Sequence, residues 1–197
     1  IVIAIDTTQA GGNRIRFYVN GEEENSFSAE TECNQNTNLD IRSTHYIGRY
    51  GGSSNHYFSG SMSHLHFIDG TQYTPSSFGS TDSTTGEWKI NTSPSVTYGT
   101  EGYFILKDGN SVTDQSPNTN NFTVGGGTLT KTEDNPSNVF ATINPLDNFY
   151  NGLTITNGNT SWVSGSSYSV TRSTLGASSG KYYFEMKVVN EGNTDYE

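Results

Sequence analysis

A single cysteine, Cys33, occurs in 197 residues, which excludes an intramolecular disulfide. Its neighbours Glu30, Glu32 and Asn34 supply no cation to lower a thiol pKa, so Cys33 reads as a bystander rather than a nucleophile. Basic residues are few: ten Lys and Arg stand against twenty Asp and Glu, a formal net charge of −10. Arg14, Arg16, Arg42, Arg49 and Arg172 are scattered without a basic run, and a nucleic-acid partner needs a clustered positive patch. Nucleic acid is therefore not expected. Apolar runs are short. None approaches the roughly 18 residues of a membrane-crossing helix. Nothing keeps a helical period beyond a turn or two, which excludes a coiled coil and a helical bundle. Counted with glycine and without tyrosine, the apolar share is roughly 35%, against about 45–50% in an average domain. Aromatics at 12% and charged residues at only 15% argue against disorder all the same.

What fills the chain is Ser, Thr, Asn and Gly, the composition of short strands joined by many turns. Residues 1–6 read as a buried strand. Arg14-Ile15-Arg16-Phe17-Tyr18-Val19 alternates with period two, placing Ile15, Phe17 and Val19 on one face. Asn20-Gly21 follows at once, and both residues tolerate a positive φ, so a hairpin is expected with residues 22–27 returning. Tyr46-Ile47-Gly48 predicts a short strand. Residues 57–69 give the clearest strand signal, with Leu65 and Phe67 facing one way and His64 and His66 the other. Residues 71–98 read as a meandering surface segment pinned by Phe78 and Trp88. Further strands are expected at 102–106, 121–124, 153–156, 168–171 and 181–189, and residues 125–138 as a linker. The chain opens inside one strand and stops after another, so we expect a piece of a longer polypeptide.

The fold class expected from this pattern is all-β, an antiparallel β-sandwich. A resemblance sharpens it. Ile3-Ala4-Ile5-Asp6, Arg16-Phe17-Tyr18-Val19-Asn20-Gly21, Ile47-Gly48-Arg49 and Tyr57-Phe58-Ser59-Gly60 leading into Leu65-His66-Phe67-Ile68-Asp69 together resemble the C-terminal half of a laminin-G-like, concanavalin A-type jelly roll. Segments 4–10, 66–70, 74–79 and 86–89 resemble the laminin-G-like family of bacteriophage structural proteins. Asp114-Gln115-Ser116-Pro117-Asn118-Thr119-Asn120-Asn121 looks like a degenerate form of that family's D-S-S-G-N-G-N stretch, and residues 140–148 resemble it too. The tail, with Gly180-Lys181-Tyr182-Tyr183-Phe184-Glu185, resembles the opening of a SPRY domain. The division implied is half a jelly roll at 1–90, a β-containing connection at 91–145, and the start of a second β-sandwich, SPRY-like and incomplete, at 146–197.

A retaining glycosidase needs two carboxylates roughly 5–5.5 Å apart. Glu22, Glu23 and Glu24 follow a hairpin turn and Glu30 and Glu32 sit in a polar loop, so solvated acids explain them better than catalysis. No nucleophile elbow occurs, and Gly125-Gly126-Gly127 is no phosphate loop. His64 and His66 have the spacing of two imidazole ligands on one strand face, but an exposed polar face is the plainer reading; were a metal bound, these two would hold it. Laminin-G-like domains often carry Ca²⁺ at the sandwich rim, which makes Asp6, Asp40 and Asp69 candidate ligands, with Asp82 at a similar turn position. None has the spacing of a calcium loop, and turn formation is the commoner role of such residues. For ligand binding, the loop Tyr50-Gly51-Gly52-Ser53-Ser54-Asn55-His56-Tyr57 combines flanking aromatics with polar groups suited to a glycan. Tyr50, Asn55, His56 and Tyr57 are the candidate binding residues; a plain turn between strands is the alternative.

The resemblance implies a non-enzymatic protein of the virion, extracellular, of the phage tail-fibre or appendage type. It would serve host attachment by binding surface glycans or other virion proteins, as a homo-oligomer without membrane insertion. Two alternatives stay open: an accessory or degenerate domain of a carbohydrate-active enzyme, and a purely architectural virion or filament component.

Overall fold

The computed structural model describes residues 1–39, 41, 44–51, 56–84, 86–107, 112–132, 135–136, 139–150, 152–165 and 168–189. It is all-β: 26% strand against 2% helix, and every paired strand runs antiparallel. Strands β1 (Val2–Ile5), β2 (Ile15–Val19) and β3 (Glu22–Glu23) form one sheet in that order. Asn20 at φ 51° and Gly21 at φ 87° make the tight turn between β2 and β3, as the Asn-Gly pair predicts. The return strand stops at Glu23, short of the expected Phe27.

The inward face of this sheet is not the one the periodicity suggests. Val2 pairs with Tyr18 and Ala4 with Arg16, and it is Ala4 and Tyr18 that are buried. Ile3, opposite Phe17, is 59% exposed, and Ile1 is 85% exposed. The expectation of a buried first strand is corrected accordingly: β1 is a sheet edge with an open apolar face.

The centre of the molecule is the pair β4 (Leu65–Phe67) and β7 (Tyr103–Ile105). Directly opposed residues stack: His66 on Phe104 with ring centres 4.0 Å apart, and Phe67 on Tyr103 at 5.3 Å. Tyr98, Tyr103, Phe104 and Ile105 are buried here. The strong strand signal over 57–69 forms a strand for three residues only, with Tyr57 in an isolated bridge to Arg49, and His64 at φ 50° turns the backbone just before Leu65. The segment after β4, expected to meander, holds a 3-10 turn (Pro75–Ser77) and a hairpin of β5 (Gly79–Thr81) and β6 (Trp88–Ile90). Trp88 pins this hairpin to the first sheet. A Cβ on Gly21 would lie 2.3 Å from its ring and one on Gly79 2.6 Å, so both close approaches require glycine.

Beyond the core, β8 (Ile143–Tyr150) pairs with β11 (Ser169–Ser173), and β9 (Thr154–Thr156) with β10 (Ser161–Val163). Sequence reasoning missed β8 and β10. Three expected strands, at 46–48, 121–124 and 181–189, are not strands. Gly48 at φ 73° bends the first out of extended geometry. The second is held by side chains instead, with Asn121 Oδ1 accepting from Asp114 N and the Phe122 ring 4.7 Å from Tyr103. The third is exposed and has no strand partner among the described residues.

Candidate functional site

The described legs of the predicted binding loop pair with each other. Arg49 bridges Tyr57, Tyr50 N–H donates to His56 O at 3.0 Å, and Phe58 N–H donates to Gly48 O at 2.8 Å. These bonds bring Tyr50, His56 and Tyr57 together, with the Tyr50 and His56 rings edge to face at 6.0 Å. Asn55 lies outside the described residues. Tyr50 and Tyr57 are 66% and 64% exposed, an arrangement in which apolar faces stay wet unless a ligand covers them. Three further residues join them that the sequence reading took for strand or flank. The Arg49 guanidinium stands 4.6 Å from the centre of the Tyr46 ring, and Phe58 turns its ring over Gly60. Tyr46, Arg49, Tyr57 and Phe58 form one wall of a cleft of about 1990 Å³, whose other wall is residues 120–132. Tyr50 and His56 stand outside its lining. The alternation of aromatics with glycine through 46–60 is the signal that would have found the whole wall.

A polar cage shares Asn120 and Asn121 with the lining of this cleft, and it is built from the degenerate D-x-S stretch. Asp114 is buried, and four donors converge on its carboxylate at 2.8 Å each: Phe104 N–H and Ser116 N–H on Oδ1, Ser116 Oγ–H and Asn120 N–H on Oδ2. Burial pushes its pKa up, but the bonds from Phe104, Ser116 and Asn120 outweigh this and hold the carboxyl below the ordinary value. The side-chain amides of Asn118 and Asn120 both donate to Gly102 O, at 2.9 and 3.0 Å. The stretch thus staples the 99–102 corner to β7, and its carboxylate is fully engaged by protein donors.

Two of the acidic candidates, Asp6 and Asp82, are placed as turn formers, and Asp69 accepts from a backbone N–H far along the chain. Asp6 accepts from Thr8 N–H, Thr8 Oγ–H and Gln9 Nε2–H, and these bonds, the Gln9 one foremost, lower its pKa. Asp69 Oδ2 accepts from Glu101 N–H at 3.3 Å. Asp82 holds Thr84 N–H and pairs with Lys89 at 2.7 Å. Asp40 lies outside the described residues. Glu32 clasps the turn before β2, accepting from Gly12 N–H and Arg14 N–H and pairing with the Arg14 guanidinium at 2.9 Å. Among the described residues no group of three or more His, Cys, Asp or Glu is arranged to hold a metal.

The histidine face is the opposite of the exposed one expected. His64 is buried, its Nδ1 2.5 Å from Ser63 Oγ, and its ring lies 5.7 Å from Phe104. His66 is sandwiched by Phe104 and Tyr98, with Nδ1 2.8 Å from the Tyr98 hydroxyl. Burial first, then the neighbouring His64 and Lys107, push its pKa down to about 4, and burial raises Tyr98 to about 12. A neutral imidazole and a protonated phenol share a hydrogen bond at neutral pH. Both histidines belong to the core. The chain matches no protein-family model, no curated protein and no solved structure.

Proposed function

We propose that this chain is part of a non-enzymatic, virion-associated adhesin of the phage tail-fibre or appendage type, extracellular and acting as a homo-oligomer. Its antiparallel sheets are read as a laminin-G-like jelly-roll sandwich followed by the start of a SPRY-like one. The sandwich serves as a rigid support for rim loops, and the rim contacts a surface glycan. One observation carries the reading: the 49–57 hairpin presents Tyr50 and Tyr57 to solvent, beside a cleft walled by Tyr46, Arg49 and Phe58. Sugar rings offer apolar C–H faces to aromatic platforms, and an arginine beside the platform supplies donors to ring hydroxyls. Each such site is weak by itself and becomes effective through repeated copies.

A glycan array probed with the 197-residue chain, with and without Ca²⁺, tests this. Selective binding that is lost in Tyr50→Ala and Tyr57→Ala supports an adhesin and locates its rim. Absence of binding under both conditions refutes it and leaves the architectural reading.

A further inference from the structure

A second cleft, of about 1330 Å³, opens between the first sheet and the central pair. Its wall includes residues 1–7 and residues 61–73, each without a break. Side chains of a strand alternate between faces, so a surface that touches every residue in succession follows strand edges. β1 ends its sheet and β4 has β7 as its one strand partner, so both carry an open edge among the described residues. β1 reads Val-Ile-Ala-Ile, without the lysine, proline or bulge that shields an edge strand.

The same chain holds a segment of the matching kind. In sequence, Tyr182, Phe184, Met186 and Val188 fall at every second position of residues 181–189, exposed by 72%, 82%, 62% and 61%, and the segment has no strand partner among the described residues. The charges are complementary. Lys181 and Lys187 are two of only ten basic residues, while the cleft wall contains Asp6, Asp69 and Glu101 and neither Lys nor Arg.

We infer that residues 181–189 of one copy enter the cleft of a second copy as an added strand between the edges of β1 and β4. Backbone pairing gives the affinity, and the alternate apolar side chains against the isoleucines of β1 give the register. The inference does not depend on the glycan reading.

Light scattering coupled to gel filtration, over a dilution series of the whole chain, tests it. Assemblies of two or more copies are expected, and a monomer at every concentration overturns the inference. Ile3→Asp spoils the cleft and Phe184→Asp spoils the strand; both positions are exposed, and circular dichroism verifies that the variants fold. Each variant alone is expected to be monomeric, and the two mixed are expected to associate, since an intact strand then meets an intact cleft. Assemblies indifferent to both changes, or a mixture that stays monomeric, refute the inference. So does a monomer whose residues 181–189 are protected from hydrogen exchange, which would place the strand in its own cleft. Should a variant misfold, a synthetic peptide of residues 181–189 is expected to compete the wild-type assembly apart, and its failure to bind has the same refuting force.

Discussion

Replacing Asp114 by Asn removes one charge and one acceptor from the middle of the molecule while preserving shape. The native carboxylate accepts four hydrogen bonds of 2.8 Å, three of them from backbone N–H groups. An amide accepts at one atom only, so its NH₂ must face at least one buried N–H, that of Asn120 or those of Phe104 and Ser116. One buried donor left unpaired costs about 1–3 kcal/mol, and the bonds that survive lose their charge assistance, worth roughly half their strength. We expect a loss of about 3 kcal/mol, which lowers the melting temperature by about 6–12 °C in a chain of this size. The assay is thermal and urea unfolding of wild type and Asp114→Asn at neutral pH. The same substitution at Asp147, whose partner Arg172 is 73% exposed, serves as control and is expected to cost less than about 1 kcal/mol. The sign of the pH dependence adds a second check. A carboxyl with lowered folded pKa stabilises above its unfolded value and loses that contribution as pH falls through the folded one. Wild type therefore loses stability below the ordinary carboxylate range of about 3.9 in excess of the variant. An Asp114→Asn protein within about 0.5 kcal/mol of wild type, a typical surface-substitution effect, would refute the cage as a source of stability.

Other substitutions probe separate parts of the structure. His66→Phe keeps the stack on Phe104 and removes the titration. Because the folded pKa of about 4 lies below the unfolded value near 6.5, wild type loses stability as pH falls from about 6.5 to 4 by about 2 kcal/mol, discounted for partial exposure. The variant's stability against pH is expected to be flatter over that window, and parallel curves would count against the buried neutral imidazole. Gly102→Ala places a methyl 1.9 Å from Tyr98 O and 2.9 Å from Phe67 O, so a loss of about 3 kcal/mol or non-folding is expected, measured by urea unfolding. Tyr57→Ala and Tyr50→Ala, at positions more than 60% exposed, are expected to abolish array binding with stability changed by less than about 0.5 kcal/mol; equal binding by both variants excludes the hairpin as the site.

Some elements were legible because one local rule decided them. Asn20-Gly21 makes its turn wherever it sits, since both residues accept a positive φ. The core strand Tyr103–Ile105 is apolar throughout and buried throughout. β8 hid because Pro145 and three polar residues interrupt its run, and its burial follows no period of two. Residues 181–189 show the reverse error: a clear alternation reports an amphipathic segment, not the partner that would make it a strand. The partners of the carboxylates were not legible for a related reason. A sequence displays a carboxylate but not the backbone N–H groups aimed at it, and Asp6 and Asp114 are both saturated by donors within a few residues.

The residues that hold the fold and those that offer a surface are therefore different sets, and this bears on how the protein works. Rings around His66, Phe104 and Tyr98, the Asp114 cage and the glycine contacts at Gly99 and Gly102 lock one corner in which almost no atom has freedom to change. In the 49–57 hairpin a bridge and two backbone bonds hold the two legs to each other, with its tyrosines in solvent. Replacing them alters what the rim touches and leaves the buried donors and rings as they were. On the reading proposed above, such a surface can change its ligand by substitution at Tyr50 and Tyr57 alone, because exposed loop positions tolerate change that buried donors and rings do not.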